Sequence, residues 1–424
     1  MKQVLFFKVV TAREAQRSVL EVLGWRGGDS GGTSLTRAVE HLALEGCAGR
    51  VLAADLVAAE AVPGFPRSTV DGYAVRARDT FGASEALPAY LLLAGELRMG
   101  EAAQKALGEG ECVAVATGGA LPDGADAVVM LEHTETPGDG TVAVMRPVSP
   151  EENLVRPGED VRAGQVVVQQ GQVLRPPDLG VAAALGYTGL PVFARPRVAI
   201  ISTGDELVPP EVRPGPGRVR DVNAYALAAA VQGEGGIPRL LGIIPDDREA
   251  LDRALGEGLE TDCVIVSGGS SVGARDLVGG AIASLGEPGV LVHGVAVRPG
   301  KPVIVAVTRG KPVYGLPGHP VSALVTFYLL VRPVIRYLAG ADPFPFEPTV
   351  RARLGRNLGS RAGVEEYVRV SLSREGGQLV ARPVLGKSGL ISTLARAWGL
   401  VRIPAEATGL AEGEEVEVLP IPPL

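Results

Sequence analysis

The stretch VAIISTGDE, residues 198–206, runs from an apolar segment into a turn that carries two carboxylates. Similar apolar segments at 263–267 and 313–316 run into the turns GGSSVG and PGHPVS. Segments with helical spacing lie between them, and this alternation is typical of a parallel sheet covered on both faces. Because such sheets bind ligands beyond the carboxyl ends of their strands, the sequence predicts an α/β domain with a ligand site at that edge.

The sequence on either side of this domain has a different character. Residues 12–22 and 35–44 place apolar residues at helical spacing, which predicts two helices. From about residue 63 to 150, and again after about residue 348, short apolar stretches are separated by turns rich in Gly, Pro and Asp. This pattern predicts β-rich structure. The predicted fold class is therefore multi-domain α/β plus β.

Composition limits the classes of function. The length of 424 residues suggests roughly two to four domains, and a hydrophobic content of 46% is enough to bury a substantial core. A formal net charge of −7 without a basic stripe argues against a nucleic-acid partner. An acidic chain can still bind an anion where a few cations and backbone N–H groups converge.

Cysteine, histidine and hydropathy patterns exclude further classes. The three cysteines form no CxxC pair and the four histidines form no HExxH pattern, so neither a disulfide framework nor a zinc site is expected. The apolar N-terminal run is broken at Lys8, which makes it too short for a signal peptide. The apolar stretch 320–335 is interrupted by Arg332 and Pro333 and is too short for a membrane span. We therefore predict a cytoplasmic protein without a membrane partner.

Acidic residues near the first turn suit a hard cation. The turn TGDE, residues 203–206, and Asp246 each follow an apolar strand. Either motif would also serve as an ordinary helix cap, because Thr and Asp satisfy free N–H groups at helix N-termini. Carboxylates at the end of a strand can instead coordinate a metal ion such as Mg²⁺.

Two further loops suit an anion. The turn SGGSSVG, residues 267–273, has glycines that leave backbone N–H groups accessible, and Asp276 follows it. The loop RPGKP, residues 298–302, presents an arginine and a lysine on a rigid backbone, and its alternative is a solvated loop. It is not a P-loop, since Pro302 stands where Ser or Thr would hold the metal, and no GxGxxG motif follows a strand.

Six motifs along the chain together resemble one family. They are STVDGYA (68–74), TGGALP (117–122), STGDEL (202–207), SGGSSVG (267–273), RPGKP (298–302) and GLPGHPVS (315–322). The spacing of the first two alone predicts only a loop before an edge strand and a tight turn. In this order, however, the six closely resemble the molybdopterin molybdenumtransferases of the MoeA family, which are related to the C-terminal part of gephyrin. The resemblance extends over essentially the whole chain from about residue 12.

The resemblance implies four structural parts and a homodimer. The parts are an extended N-terminal domain (1–63 and 151–194), an inserted β-rich lobe (64–150), a central parallel-sheet α/β domain that binds molybdopterin (195–340) and a C-terminal β-barrel (348–424). It also implies an active cleft shared between the α/β domain of one subunit and the β-rich lobe of the other. Asp71 and Thr117 would then act beside loops that lie far from them in sequence.

The activity implied is insertion of molybdenum into adenylated molybdopterin. Molybdate joins the pterin dithiolene, and AMP is released with the help of Mg²⁺. Molybdopterin adenylyltransferase is the upstream partner that the resemblance suggests. Two other functions stay open, namely a nucleotide or pterin pyrophosphatase or deamidase like those of the CinA family, and a non-catalytic pterin-binding scaffold.

The resemblance also assigns site residues, position by position. The catalytic residues are Asp71, Thr117, Glu206, Asp246, Asp276 and Lys301, with Glu206, Asp246 and Asp276 as ligands of Mg²⁺. Three positions depart from patterns in the family: Arg298 and Gly294 stand where some members carry Lys, and His319 stands where Asn is frequent. The residues that bind the pterin substrate and molybdate are Thr203, Gly204, Ser267, Gly268, Gly269, Ser270, Ser271, Arg298, Pro317, Gly318, Ser322, Arg369 and Ser388.

Overall fold

A six-stranded mixed sheet forms the centre of the α/β domain. The computed structural model describes residues 10–26, 36–268, 272–346 and 348–421, and of residues 272–276 it describes the backbone only. The strands are β1 (Arg197–Thr203), β2 (Ile237–Ile244), β3 (Cys263–Gly268), β4 (Pro288–His293), β5 (Ile304–Thr308) and β6 (Lys311–Leu316), in the order β2-β1-β3-β6-β5-β4.

The first part of this sheet is parallel and covered on both faces, as predicted. β1 pairs in parallel with β2 and β3, and β3 pairs in parallel with β6. Val198 and Ile200 of β1 pack in one apolar core, whereas Ala199 and Ile201 pack in another. Because successive side chains of a strand point to opposite faces, both faces of β1 are buried.

The last two strands depart from the predicted parallel pattern. β5 runs antiparallel to both β6 and β4. Only Arg309 and Gly310 connect β5 to β6, and their φ angles are 49° and 72°. A two-residue connection with positive φ at both positions makes a tight hairpin, whereas parallel neighbours need a long crossover. One edge of the sheet is therefore antiparallel.

Helices cover the sheet close to the predicted positions. Those between the strands are Asn223–Gly233, Arg248–Gly258 and Val272–Ala283. The predicted N-terminal helix spans Ala12–Val22 and begins with a capping box between Thr11 and Glu14. Its buried side chains belong to the larger of the two apolar cores described for β1.

A long apolar helix, Pro320–Leu338, follows β6. By length and composition alone this helix would be able to cross a membrane, but 67% of its most apolar window is buried inside the fold. That burial is typical of a core helix. Its middle turn, Phe327–Val331, is π-helical, and Pro333 lacks the N–H that an α-helix needs there. Side chains provide donors at this irregular turn, from Gln16 to the carbonyl of Leu329 and from Tyr314 to the carbonyl of Leu330.

The C-terminal region forms a closed five-stranded barrel, which confirms the prediction for this part. The central strand, Glu365–Glu375, pairs with two neighbours and closes the ring. A short strand from the α/β domain, Val297–Arg298, pairs in parallel with Glu365 and Glu366. The loop RPGKP therefore starts at the barrel wall. The other barrel strands are Val350–Leu354, Gln378–Pro383, Gly399–Ile403 and Glu415–Pro420.

The prediction of a helix over residues 35–44 is wrong for residues 36–44, which the structure describes. Val39–Ala43 form a strand antiparallel to Gly189–Phe193, followed by the 3₁₀ turn Leu44–Gly46. Val39 is exposed, so the apolar residues that suggested a helix do not form a buried face. Pairing with a strand far along the chain overrides the local helical pattern.

The chain separates into two units. One comprises Met1–Ala54, Gln170–Arg175 and Gly189–Leu424, and the other comprises Asp55–Gln169 and Pro176–Thr188. The second unit holds the sheet of the β-rich lobe. The four-part division implied by the resemblance is finer than these two units and stays a prediction. The lobe strands, in sheet order, are Ala127–Met130, Gly72–Val75, Glu111–Val115, Ala89–Leu97, Thr141–Val144 and Thr134–Glu135.

Candidate functional site

A cleft of about 920 Å³ lies between the α/β domain and the C-terminal barrel. The α/β domain contributes the loop RPGKP and the start of the long helix, and the barrel contributes the segment 356–361, the central strand and the turn 385–388. The structure thus brings together residues that are far apart in sequence. The residues predicted from the sequence that line this cleft are Arg298, Lys301, Pro317, Ser322, Arg369 and Ser388.

The wall of the cleft is strongly cationic in an acidic protein. Among the described residues that line it, the charged side chains are one carboxylate, Glu366, and six cations, in a chain whose formal net charge is −7. A concave site that gathers charge of one sign attracts the opposite ion. The six cations are Arg298, Lys301, Arg356, Arg361, Arg369 and Lys387. Of these, the head groups of Lys301, Arg356, Arg361 and Lys387 form no ion pair or side-chain hydrogen bond with any residue that the structure describes.

Arg298 is held against the barrel by its backbone and its side chain. Its Nη1 lies 3.4 Å from Glu366 Oε2, and the same carboxylate oxygen accepts a 2.9 Å hydrogen bond from Ser360 Oγ. The remaining N–H groups of the guanidinium point to no described partner and are able to donate to a ligand. The barrel therefore fixes where the arginine of RPGKP presents its charge.

Arg369 is anchored by neutral groups only. Its Nη1 donates to Thr393 Oγ1 at 2.6 Å, and its Nη2 donates to the carbonyl of Gly386 at 2.8 Å. Burial lowers the pKa of this guanidinium from its usual value, because desolvation disfavours the charged form. No described carboxylate neutralises its charge, so the charge stays available to an anion in the cleft.

The loop RPGKP packs tightly on the long helix at Gly300. The φ angle of Gly300 is +118°, and a Cβ at this position would lie 2.2 Å from Thr326 Cγ2. Only glycine fits such a contact at such a φ angle. Thr326 Oγ1 donates to the carbonyl of Ser322 at 2.8 Å, so the same contact lies beside another residue of the cleft.

Ser388 is bound to the start of the long helix. Its carbonyl accepts a hydrogen bond of 3.1 Å from the N–H of Val321, and its Oγ lies 3.2 Å from Nδ1 of His319. Both side chains line the cleft. The turn 385–388 of the barrel is therefore held in place by the α/β domain.

Two of the three predicted metal ligands, Glu206 and Asp246, follow the carboxyl ends of β1 and β2. Thr203 Oγ1 donates to Asp246 Oδ1 at 2.9 Å, and the N–H of Asp246 donates to Asp205 Oδ1 at 3.2 Å. The carboxylate of Glu206 folds over Gly204, where a Cβ would lie 2.7 Å from Glu206 Oε2. These oxygen donors are of the kind that Mg²⁺ prefers.

A complete metal site is not formed by this set alone. Among the side chains that the structure describes, no group of three His, Cys, Asp or Glu is close enough to hold a metal ion. Asp276 lies in the helix Val272–Ala283, and its side chain is outside the described residues. The assignment of Glu206, Asp246 and Asp276 to a metal therefore stays a prediction.

Asn223 links two loops at the same edge of the sheet, and the sequence assigned it no role at the site. Its Nδ2 donates to Ser267 Oγ and to the carbonyl of Gly318, both at 2.8 Å. Asn223 is only 8% exposed, and Asp221 Oδ1 accepts its N–H at 3.1 Å. Gly268 lies beside them, and Gly269, Ser270 and Ser271 are outside the described residues.

Asp71 and Thr117 form a pair within the second unit. The backbone N–H and the hydroxyl of Thr117 both donate to Asp71 Oδ1, at 2.7 Å and 3.0 Å. The two bonds, first from the backbone and then from the hydroxyl, lower the pKa of Asp71 from its usual value. The carboxylate is thus oriented, exposed and held ionised.

Three cations of the cleft were missed by the sequence interpretation. Arg356 and Arg361 lie on either side of the two-residue strand Leu358–Gly359, and Lys387 follows Gly386. A cation close in sequence to a glycine is the signal that drew attention to RPGKP. Nothing in the sequence shows that the two loops face one cleft, because only the docking of the barrel brings them together.

Family models match almost the whole chain. The model described as MoeA N-terminal region (domain I and II) matches residues 10–186. The model described as probable molybdopterin binding domain matches residues 199–337. The model described as MoeA C-terminal region (domain IV) matches residues 351–421.

Curated relatives and a solved structure are similar over comparable lengths. Molybdopterin molybdenumtransferase 2 of Mycobacterium tuberculosis is 37% identical over 375 residues, which cover 87% of this chain and 92% of the relative. The molybdopterin molybdenumtransferase of Bacillus subtilis is 34% identical over 386 residues, or 90% of this chain and 89% of the relative. The crystal structure of a molybdopterin biosynthesis moeA protein from Pyrococcus horikoshii has a TM-score of 0.80 at 31% identity, covering 98% of this chain and 100% of that chain.

Proposed function

The chain belongs to the MoeA family of molybdopterin molybdenumtransferases, and we propose that it inserts molybdenum into adenylated molybdopterin with release of AMP. It is accordingly a transferase of molybdenum cofactor biosynthesis. The observation that carries the proposal is the cation-lined cleft between the α/β domain and the barrel. Molybdate, a tetrahedral dianion, is the substrate that this cleft suits.

Molybdate would be bound by groups of three kinds. The guanidinium groups of Arg298 and Arg369 line the cleft and have further N–H groups that would donate to its oxygens, and Lys301 adds a point charge. The hydroxyls of Ser322 and Ser388 line the same cleft and are able to donate. The four cations without described partners give this region a positive potential before any ligand arrives.

The phosphate-bearing part of the pterin would bind at the edge of the sheet. We assign it to Thr203, Gly204 and the turn 267–271, because backbone N–H groups at the ends of parallel strands suit phosphate oxygens. Asn223 supports this assignment, since it ties Ser267 to Gly318. Asp246 and Glu206, to which we assign catalytic roles, lie at this same edge of the sheet.

Mg²⁺ is a proposed cofactor, and the oxygen atoms of the side chains at this edge are of the kind that it prefers. Glu206, Asp246 and Asp276 would hold it, and Thr203 already orients one oxygen of Asp246. When bound, the ion would stabilise negative charge on the phosphates as AMP leaves. The cations of the cleft would not replace it, since they line the region assigned to molybdate.

The remaining parts of the proposal concern the assembly. We propose a cytoplasmic homodimer in which the Asp71 and Thr117 pair of one subunit acts at the α/β domain of the other. The substrate would come from the molybdopterin adenylyltransferase. The two bonds from Thr117 support a chemical role for Asp71, because they keep its carboxylate ionised and oriented.

The alternatives have less support. A CinA-like pyrophosphatase or deamidase would not require the family matches on both sides of the α/β domain. A non-catalytic scaffold would bind the pterin but release no AMP. The decisive experiment incubates the protein with adenylated molybdopterin, Mg²⁺ and molybdate and measures both AMP and mature cofactor. Omission of molybdate and addition of a chelator are its controls. Pterin binding without AMP release under all conditions would contradict the proposed function.

A further inference from the structure

His319 contacts a hydroxyl that the proposed function places at the oxyanion. Its Nδ1 lies 3.2 Å from Ser388 Oγ, while the carbonyl of Ser388 is bound separately by the N–H of Val321 at 3.1 Å. The main-chain bond holds the turn in place whatever the imidazole does. The side-chain contact is therefore free to serve another purpose.

The direction of this side-chain bond matters because a serine hydroxyl has one proton. An imidazole that is unprotonated at Nδ1 accepts a hydrogen bond from the Ser388 hydroxyl and leaves lone pairs of Oγ facing the cleft. An imidazole that is protonated at Nδ1 donates to Oγ and frees the hydroxyl proton for a ligand. An oxyanion only accepts hydrogen bonds, so it is stabilised by the second arrangement and repelled by the first.

We propose that His319 is a positioning residue for the oxyanion substrate. Its Nδ1–H donates to Ser388 Oγ, and the Ser388 hydroxyl then donates to an oxygen of the bound anion. The inference rests on the proposed function, because it requires an oxyanion in this cleft. It extends that function by stating that His319 changes the affinity for the oxyanion only through the hydroxyl of Ser388.

The charges along the cleft are consistent with a neutral His319 imidazole that donates a hydrogen bond and adds no positive charge. The charged side chains described along the same cleft are already cationic apart from Glu366, so a neutral tautomer with its proton on Nδ1 suffices. A bound oxyanion favours this tautomer, because the alternative turns lone pairs of Ser388 toward negative charge. Donors to a charged acceptor are the stronger class of hydrogen bond. The charged groups of the wall are Arg298, Lys301, Arg356, Arg361, Glu366, Arg369 and Lys387.

The test is a double-mutant cycle on the full chain, with molybdate affinity measured by titration calorimetry. His319→Asn keeps an N–H donor of similar reach, and His319→Asp presents only acceptors. We expect His319→Asn to change the Kd by less than about threefold and His319→Asp to raise it by roughly 10- to 100-fold. In the Ser388→Ala background, the gap between the Asn and Asp variants should shrink by at least about fivefold.

Three outcomes would overturn the inference. One is an equal loss of affinity for the Asn and Asp variants, since the donor would then be irrelevant. Another is an undiminished gap between them in the Ser388→Ala background, since His319 would then act on the anion directly by charge. The third is an absence of molybdate binding by the wild-type protein, which would overturn the proposed function as well. Melting curves separate these outcomes from unfolding, and Ser388→Thr, which retains the hydroxyl, should preserve the pattern.

Discussion

The cationic side chains of the cleft are of two kinds, those that are hydrogen-bonded to described residues and those that are not. Arg298 and Arg369 are held by described partners, whereas Lys301 extends into the cleft without one. Anchoring lowers the entropy lost when a ligand binds, and a free ammonium contributes mainly long-range attraction. Replacing an anchored cation and replacing an unanchored one should therefore have different effects on ligand binding.

The first prediction concerns Lys301. Lys301→Ala removes a point charge from the cleft, and we expect the Kd for molybdate to rise by about 10- to 100-fold, the value of one charge-assisted contact. The melting temperature should not change, because the side chain forms no bond with a described residue. Titration calorimetry and thermal melts measure the two quantities. Lys105→Ala, at an exposed position of the other unit, is the matched control. Early melting of the Lys301 variant would assign this residue a structural role instead.

The second prediction concerns the Asp71 carboxylate. The pKa of Asp71 is lower in the folded protein than in the unfolded chain. Ionisation of Asp71 therefore stabilises the fold fully at pH values above the unfolded pKa, and this stabilisation disappears as the pH falls through the folded pKa. Thr117→Val removes the hydroxyl donor and keeps the backbone N–H. We expect the pKa of Asp71 to rise but to stay below its usual value, as measured by a carbon-13 NMR titration of the carboxyl group. Thr117→Ser, which keeps the hydroxyl, should leave it unchanged. An unaltered pKa in the Val variant would show that the hydroxyl contributes nothing.

At the scale of elements, the sequence predicts where buried strands end, but it does not predict which strands pair with each other. β1, β3 and β6 are apolar runs closed by glycine or proline turns, and such boundaries are visible in the sequence. The strand Val39–Ala43 is mostly exposed and owes its conformation to pairing with Gly189–Phe193. The antiparallel edge likewise depends on one two-residue turn. Local patterns encode burial, whereas pairing depends on residues elsewhere in the chain.

The third prediction concerns the contact between the loop RPGKP and the long helix. Gly300→Ala would place a methyl group 2.2 Å from Thr326 Cγ2 at a φ angle of +118°. We expect a lower melting temperature and weaker molybdate binding, because the loop must move and carries Arg298 and Lys301 with it. Thermal melts and titration calorimetry measure both effects.

Two further variants separate the clash from the strain of the backbone. Adding Thr326→Ser removes the methyl group and keeps the hydroxyl that donates to Ser322, so the double variant should recover part of both losses. Gly217→Ala, with a φ angle of +78° and nothing within 4 Å of the added Cβ, tests the strain alone. If the double variant is no better than Gly300→Ala, the contact with the helix is not the cause.

At the scale of the whole molecule, the candidate site combines parts of the chain that are far apart in sequence. The barrel supplies Arg356, Arg361 and Lys387 to a cleft whose other wall is the RPGKP loop. The family resemblance named Arg369 and Ser388 as binding residues without predicting a cleft between the α/β domain and the barrel, and composition and spacing alone drew attention to neither residue. The contribution of a docked domain to a site is a tertiary property, and it becomes visible only once the surfaces meet.

The last prediction concerns the proposed homodimer. If the lobe of one subunit acts at the α/β domain of the other, a heterodimer of Asp71→Ala and Asp276→Ala subunits contains one site with both residues intact and one with neither. A random equal mixture should then regain about a quarter of the wild-type sites, and purified heterodimers about a half. AMP release is measured after subunit exchange, with heterodimers isolated through two different affinity tags. Each variant alone is the baseline, and a mixture of Asp71→Ala with Thr117→Ala is the matched control. That control should recover nothing, because both residues lie in the same lobe and no composite site regains both. Inactive heterodimers that are correctly folded would show that each site lies within a single subunit.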